Sequence, residues 1–564
     1  MKFNDYPYQR PDLDLLKSRF DELLPRLSTA PTVERALIRL EELDALRRDF
    51  DTMYNLCYIR HSSNTKDEFY EAENNWFDRN LPDFEGLNNR FYRALNDHPL
   101  KNELIERLGK QLFAIARMKL EVFSPEIVDE LREENQLRSA YMKIKAVANF
   151  EVDGESYNLS SIIRVLSDHD PAKRKRALEA QWQFFAKHRD EIEGIYDQLV
   201  KIRHRIAQKL GFKNFVELGY RRMLRSDYDA DLVRNFRQQI LEGVVPLATQ
   251  LYERQKKRLG LDRLEFWHED FRFPSGNARP QGSPEWIVER AERMYRELSP
   301  ETHEFFQFMR QRELMDLVGR DGKATGGYCT LIPDFGSPFI FSNFNGTSGD
   351  IDVLTHEAGH AFQVFESRAL RPSDYQWPTY EACEIHSMSM ELFTYPWMEL
   401  FFEHDTEKYK FSHLAGAIRF LPYGVAIDEF QHYVYENPEI TIEERRAVWK
   451  RIEDRYQPHR DYGDLEILNE GCFWMRQTHL FASPFYYIDY TLAQVCAFQF
   501  WQRDRIDHES AWSDYLQLCR AGGSKSFLTL VELAGLKSPF APGTIAEAVT
   551  PVEAYLNSVN DAQW

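Results

Sequence analysis

The chain has 564 residues, of which 43% are hydrophobic and 29% are charged, and its formal net charge is −19. This composition is typical of a globular protein with a large core, and it excludes a disordered chain. The acidic balance argues against nucleic acid as the main partner, because phosphate backbones attract basic surfaces.

The N-terminal residues and the cysteines bear on the compartment in which the protein works. No basic segment followed by an apolar one opens the chain, which predicts that there is no secretory signal. Because no run of about 18 apolar residues is present, we expect no transmembrane helix and no membrane partner. The 6 cysteines lie far apart and form no C-x-x-C pair. This pattern favours free thiols and a cytoplasmic location.

Helical periodicity dominates the first third of the chain. Apolar residues recur three and four positions apart in the stretches that begin at Asp12, Glu34, Asn102 and Arg174. The pattern predicts amphipathic helices and a mainly α fold. One exception is the Asp-Gly pair at residues 153–154, which separates two alternating runs and predicts a small β-hairpin.

A second β-favouring segment, Gly326–Thr347, lies directly before the most informative motif of the chain. It is rich in aromatic residues and is interrupted by glycine and proline, unlike the sequence around it. We therefore predict two or three short strands in this segment.

His356, Glu357 and His360 form an H-E-x-x-H motif. In a helix, two histidines four residues apart share one face, where both can bind a single Zn²⁺ at roughly 2.0–2.1 Å. Glu357 then points to the side, where it can reach a water molecule at the metal rather than the metal itself. We expect either Asp350 or Ser348 to cap this helix at its N-terminus.

The segment Tyr380–Tyr395 predicts a helix that supplies a third ligand, since a catalytic zinc usually takes three protein ligands and leaves one position open. Glu384 and Glu391 are seven residues apart and share a face. We expect Glu384 to bind the metal and Glu391 to orient a ligand or a neighbouring donor. Asp352 is a further candidate for such orientation, although a solvated face or a cap explains Asp352 and Glu391 equally well.

The segment that starts at His479 carries tyrosines at helical spacing. A Ser-Pro pair four residues further on predicts the cap and the first position of a helix. Tyr486 and Tyr490 then share one face, and Tyr487 lies beside them. Hydroxyl and imidazole donors of this kind can stabilise the oxyanion of a tetrahedral intermediate, although an aromatic stripe is more often part of a core.

Together, these segments resemble the thimet oligopeptidase and oligoendopeptidase F family of zinc metallopeptidases. The resemblance is carried by HEAGH at 356–360, EIHSMSME at 384–391 and the segment from His479 to Tyr490. It covers the chain well after its first third, which matches only in helical character. The length and the string HEAGHAFQVF look closest to bacterial Pz-peptidase-type oligopeptidases, which act on short, collagen-derived, proline-containing peptides.

The resemblance implies a multi-helix ellipsoid of two interleaved lobes around a deep substrate channel, with a small β-sheet beside the active-site helix. We expect residues 1–195 to form an N-terminal helical lobe and residues 196–564 to form the catalytic lobe. The resemblance also implies one Zn²⁺ per chain. Its expected ligands are His356, His360 and Glu384.

The resemblance assigns further roles within this site. Glu357 looks like the general base, Tyr490 like a donor to the oxyanion, and His479 like a histidine near the substrate. Tyr486 is our first choice for a second donor, and Tyr487 is the second choice.

The function that these features predict is hydrolysis of internal peptide bonds in short, unstructured oligopeptides by a zinc-bound water that Glu357 activates. The run Pro338–Asn345 would offer a strand edge to an extended peptide. Its candidate substrate-binding residues are Phe339, Phe341, Asn343 and Asn345, together with Tyr487 across the site. A carboxydipeptidase of the same family is one alternative. A non-catalytic helical peptide-binding protein stabilised by zinc is another, but no cysteine has suitable spacing for a closed structural site.

Overall fold

The computed structural model describes residues 1–564, and α-helices form most of it. The helices are α1 Leu13–Ser28, α2 Val33–Ser63, α3 Glu68–Asn96, α4 Lys101–Leu108, α5 Lys110–Glu121, α6 Val128–Ala146, α7 Ile162–Leu166, α8 Pro171–Lys187, α9 Arg189–Lys209, α10 Phe215–Arg222, α11 Ala230–Gly243, α12 Val245–Arg258, α13 Pro284–Leu298, α14 Pro300–Gln311, α15 Gly349–Ser367, α16 Tyr380–Phe393, α17 Glu399–Phe402, α18 Thr406–Glu436, α19 Ile442–Tyr456, α20 Glu466–Asn469, α21 Thr478–Ala482, α22 Tyr487–Asp504, α23 His508–Ala521, α24 Phe527–Leu533 and α25 Thr544–Ser558. The strands are β1 Phe150–Val152, β2 Glu155–Tyr157, β3 Met315–Val318, β4 Tyr328–Ile332 and β5 Ser337–Phe344. The predicted mainly α fold is confirmed. No helix combines the length and the apolar character that a membrane span requires.

The first five helices enclose a small hydrophobic core of 23 buried residues. Polar caps fix where these helices begin, since the Asp12 carboxylate accepts from the Leu15 amide and Thr32 Oγ1 accepts from the Arg35 amide. Inside, the rings of Phe50 and Phe84 stack with centroids 3.7 Å apart.

The small core is tied to the rest of the chain at Asp374 and Tyr375. Tyr375 packs into it, and a buried salt bridge joins Arg47 to Asp374 at 2.8 Å. The boundary between residues 195 and 196 stays a prediction.

The main core contains 125 buried residues and runs from Phe3 to Leu556. Residues from both ends of the chain take part in it, so the predicted lobes interleave. Tyr6, for example, stacks on Phe335 with ring centroids 3.9 Å apart. The N-terminal segment therefore covers the region directly before the H-E-x-x-H helix α15.

The predicted hairpin is confirmed. Strands β1 and β2 pair antiparallel, with Phe150 opposite Tyr157. The connecting residues Asp153 and Gly154 have φ angles of 54° and 83°. Positive φ at both positions is what a two-residue type I′ turn requires.

The second sheet has the strand order β3-β5-β4, with β5 parallel to β3 and antiparallel to β4. This order corrects the expectation that Pro338–Asn345 presents a free edge, because β5 is the central strand. The two edge strands are β3 and β4. Strand β3 was not predicted, because only its pairing with the distant strand β5, as between Met315 and Ile340, defines it. A central strand covered on both faces also explains the continuous apolar run of β5.

The predicted start of α22 at the Ser-Pro pair is wrong. Helix α21 ends at Ala482, with Ser483 at its C-terminal cap position, and α22 begins at Tyr487. The cause is Phe485, whose backbone adopts a left-handed φ of 67° and whose amide donates to Gln431 Oε1 at 2.7 Å. Its side chain is 0% exposed, and a Cβ on Gly219 would lie 2.5 Å from its ring. Burial of this phenylalanine interrupts the helix.

We expect Phe485→Ala to lower the free energy of unfolding by about 3–5 kcal/mol, since it empties a fully buried aromatic site. Chemical denaturation followed by circular dichroism measures the change. Phe69→Ala is the matched control, because Phe69 is 55% exposed, and its substitution should change stability by less than about 1 kcal/mol. Equal midpoint shifts for the two variants would contradict the role given to Phe485.

Candidate active site

Close packing of α15 against α16 forms the base of the site. A Cβ on Gly359 would lie 2.6 Å from Ser387 Cα and 2.7 Å from the His386 carbonyl oxygen. Only a glycine leaves room for a backbone at this distance. Gly359, which directly precedes His360 in the motif, therefore allows α16 to approach the two histidines.

This approach brings the three predicted ligands together. His356 Nε2 and His360 Nε2 lie 3.2 Å and 3.4 Å from Glu384 Oε2, and one donor atom of each residue falls within 4.8 Å of the others. Donors around a tetrahedral zinc at roughly 2.0–2.2 Å are themselves separated by roughly 3.3–3.6 Å. The donor set therefore fits one Zn²⁺ and leaves a coordination position open.

The electrostatics of Glu384 suit a ligand. Burial opposes its ionisation, but the neighbouring His360 and His356 hold its pKa well below the ordinary range. Ser387 Oγ also donates to Glu384 Oε2 at 2.9 Å. The carboxylate is therefore charged and oriented, even though it is almost completely buried.

Glu357 lies beside the donor set with one carboxylate oxygen, Oε2, buried and free of any protein hydrogen bond. Burial raises its pKa, against the opposing effect of His356 and His360. A carboxylate with a raised pKa holds a proton more readily, as a general base must. A Cβ on Gly327 would lie 3.4 Å from Glu357 Oε1, so the glycine before β4 leaves the space beside this carboxylate open.

Glu391 links His356 to His413, a residue that no sequence motif had indicated. The Nδ1 atom of His356 lies 2.6 Å from Glu391 Oε1, and the Nε2 atom of His413 lies 2.8 Å from Glu391 Oε2. Because an ionised carboxylate only accepts, both imidazoles donate to it, and His356 turns Nε2 toward the donor set. Tyr395 Oη and His413 Nδ1 are 2.6 Å apart. His413 lies on α18, where no local motif marks it.

Asp352 lies at the edge of the same cluster. Its carboxylate accepts from the Tyr409 hydroxyl at 2.7 Å and is 4.0 Å from His413 Nε2. Its contact with the ligands is therefore indirect.

The predicted tyrosines and His479 also gather at the site. Tyr486 donates from its hydroxyl to Glu384 Oε1, and its ring centroid lies 5.0 Å from that of Tyr490. His479 Nε2 and Tyr490 Oη are 3.3 Å apart. Tyr487 packs between His479 and Tyr423 of α18, with ring centroids 5.0 Å and 5.7 Å away.

Gln477 holds the other side of His479. Its Nε2 and His479 Nδ1 are 2.7 Å apart, and Tyr423 donates to Gln477 Oε1 at 2.9 Å. Burial lowers the pKa of His479 to about 4, so this imidazole is neutral at physiological pH.

The structure does not bring the candidate residues of β5 to the site surface. Phe339 and Phe341 are 2% and 0% exposed. The Asn343 amide donates to the carbonyl oxygens of Ala324 and Gly326 at 2.8 Å and 2.9 Å. Phe339 and Phe341 are buried because β5 is covered on both faces, and Asn343 holds the segment before β4 in place.

The turn before α15 corrects two further expectations. The side chain of Asn345 donates to the Ser160 carbonyl oxygen at 3.0 Å, away from the donor set. Ser348 occupies the cap position of α15 without a side-chain hydrogen bond. Asp350 does not cap the helix either, because its carboxylate accepts from the amides of Asn345 and Gly346 at 2.8 Å.

Comparison with known proteins agrees with this geometry. The profile described as Peptidase M3 N-terminal domain matches residues 3–123, and the profile described as Peptidase family M3 matches residues 164–549. The chain belongs to peptidase family M3. The resemblance carried by the three motifs is thereby confirmed, and the protein is a metallopeptidase.

Three solved structures share the fold of this M3 peptidase along its whole length. A provisionally assigned oligoendopeptidase F is 52% identical, with 100% of both chains covered and a TM-score of 0.99. Pz peptidase A with an inhibitor is also 52% identical, with 100% of both chains covered and a TM-score of 0.98. A provisionally assigned oligoendopeptidase F from Bacillus anthracis is 51% identical, with 100% of this chain and 99% of its own covered and a TM-score of 0.94. No curated protein matches the chain.

We expect Gly359→Ala to weaken zinc binding roughly 10-fold or more, because the added methyl group pushes α16 and Glu384 away from the histidines. Competition with a chelator of known affinity measures the change. Gly416→Ala is the matched control, since Gly416 also lies within a helix but a Cβ there meets nothing within 4 Å. Identical zinc affinities of the two variants would refute the packing argument.

We expect Glu391→Gln to weaken zinc binding by about 10–100-fold, because His356 loses a charged acceptor at Nδ1. Titration of the metal-free protein with zinc measures this affinity. Glu366→Gln on α15 should leave it unchanged, since Glu366 pairs with Arg520 at 2.9 Å, away from the donor set. If Glu391→Gln binds zinc as tightly as wild type, the carboxylate does not orient the ligand.

Proposed function

We propose that this M3 peptidase is a zinc-dependent oligoendopeptidase that hydrolyses internal peptide bonds of short, unstructured peptides. The observation that carries the proposal is the convergence of His356, His360 and Glu384, with an unpartnered carboxylate oxygen of Glu357 beside them. Three ligands and an adjacent base form the arrangement of a hydrolytic rather than a structural zinc site.

One Zn²⁺ held by His356, His360 and Glu384 would polarise the scissile carbonyl group and lower the pKa of the attacking water. Glu357 accepts the proton of that water and then passes it to the leaving amine. The raised pKa of Glu357 favours the protonated state between these two steps.

Tyr490 is the proposed donor to the oxyanion that develops on the scissile carbonyl. His479 positions its hydroxyl group, and Gln477 in turn orients His479. Tyr486 is the proposed second donor, because its ring lies next to that of Tyr490 and its hydroxyl group can turn its single hydrogen from Glu384 Oε1 to the oxyanion. Tyr487 packs between His479 and Tyr423, so its proposed role is to line the site rather than to donate to the oxyanion.

The edge strand β4 is the proposed place where an extended peptide adds as a further strand. It follows Gly327, whose missing side chain leaves room beside Glu357. Helix α2 bounds this strand, since Thr330 Oγ1 donates to Asn55 Oδ1 at 2.9 Å. Main-chain recognition of this kind tolerates many sequences.

Short, proline-containing peptides of collagen are the first substrates to test, in view of the relative called Pz peptidase A.

A quenched fluorescent peptide blocked at both ends tests the proposal. We expect Glu357→Gln to lower kcat/KM by about 10²–10⁴-fold while zinc affinity is retained, because only the base is lost. Glu384→Gln should lose both turnover and zinc. Glu366→Gln is the control that should keep both.

Two results would contradict the proposal. Retained turnover in Glu357→Gln would rule out the assigned base. Failure of the wild type on blocked peptides, with release of dipeptides from unblocked ones, would show a carboxydipeptidase instead.

A further inference from the structure

Two cationic side chains at the edge of the site have no carboxylate partner. Lys145 lies on α6 and is half-buried, and Arg476 is exposed and precedes α21. Lys145 Nζ lies 5.7 Å from the ring centroid of Tyr141, and the Arg476 guanidinium lies 5.1 Å from the ring centroid of Phe473. Lys143, two residues earlier on the same helix, pairs with Glu71 at 3.0 Å.

Lys145 lies close to the proposed oxyanion donors. Its Nζ donates to Thr478 Oγ1 at 2.6 Å and to the Arg476 carbonyl oxygen at 3.2 Å. An ammonium group has three donors, so one N–H is left for a further acceptor. Thr478 immediately precedes His479, which contacts Tyr490.

Two positively charged side chains, Lys145 and Arg476, that both lack a carboxylate partner are unexpected in this chain. Acidic residues outnumber Lys and Arg by 90 to 71, so counter-charges are plentiful. Burial, together with the positive charge of Arg476, lowers the pKa of Lys145 to about 7. An anion placed between the two side chains would relieve both the repulsion and the loss of solvation.

We propose that Lys145 and Arg476 bind a carboxylate of the peptide substrate, a few residues away from the scissile bond. The carboxylate is either the C-terminal group or the side chain of Asp or Glu, which present the same chemistry. This inference rests on the proposed function and extends it to substrate choice. A fixed carboxylate subsite favours peptides whose end lies at a set distance from the cleaved bond.

The alternative explanation is that Lys145 only stabilises the packing of α6 against the segment that carries His479, without binding substrate. Tyr141 on the same helix makes a contact of that kind, since its hydroxyl donates to the Met475 carbonyl oxygen at 2.9 Å. Loss of a fastening contact would impair every substrate equally. Loss of a carboxylate subsite would impair only substrates that carry the carboxylate.

Three quenched peptides with one core sequence separate these explanations: a C-terminal acid, its C-terminal amide, and the amide with one Gln replaced by Glu. We expect Lys145→Met and Arg476→Gln each to raise KM for the acid, or for the Glu peptide, by about 10-fold with kcat little changed. The plain amide should be unaffected. Lys143→Met is the matched control and should resemble wild type for all three.

Binding to the Glu357→Gln variant, measured by calorimetry, tests the inference without turnover. Tighter binding of the acid or Glu peptide than of the amide, abolished by Lys145→Met or Arg476→Gln, supports the subsite. Equal binding of all three peptides to the unsubstituted subsite, or a substitution that weakens the binding of all three peptides equally, overturns it. The Arg476 side chain makes no protein hydrogen bond in the structure, so Arg476→Gln keeps the test valid if Lys145→Met fails to fold. Absence of turnover by wild type would count against the proposed function alone.

Discussion

The distance between α15 and α16 at Gly359 constrains everything else in the site. Helix α16 carries Glu384 into the protein core, where an isolated negative charge is unstable. It is tolerated because His356, His360, Ser387 and Tyr486 all meet it there. A wider separation of the helices would remove these partners and leave a buried charge alone. The same packing therefore serves both the stability of the fold and the geometry of metal binding.

Helix α18 carries this constraint from the ligands to the opposite side of the site. Near its start, His413 holds Glu391, which in turn orients His356. Three turns later, Tyr423 holds Gln477, which orients His479. One rigid helix thus fixes the metal ligands relative to the tyrosines. Groups that must act together within a fraction of an ångström are best held by one regular element.

The parts of the site that could be predicted from the sequence are those with local spacing. The pair His356 and His360 follows from helical periodicity, and Glu384 follows from the need for a third ligand on the next helix. His413 could not be predicted, since it meets Glu391 only through the packing of α18. Likewise, the hairpin has a local turn signal, whereas the central position of β5 depends on pairing with distant strands. The interruption before Tyr487 depends on the burial of Phe485 against Gly219, which periodicity does not reveal.

The chemistry and the choice of substrate come from different parts of the chain. The proposed metal ligands, base and oxyanion donors all follow residue 350, whereas α2 contacts β4 and α6 supplies Lys145. The contacts of Tyr141 and Lys145 with the segment before His479 fix α6 relative to the tyrosines. A carboxylate held by Lys145 and Arg476 would therefore lie at a constant distance from the scissile bond. In this proposal, the H-E-x-x-H motif supplies the hydrolysis, while Lys145, on a helix without any motif, helps to select the peptide bond that is cleaved.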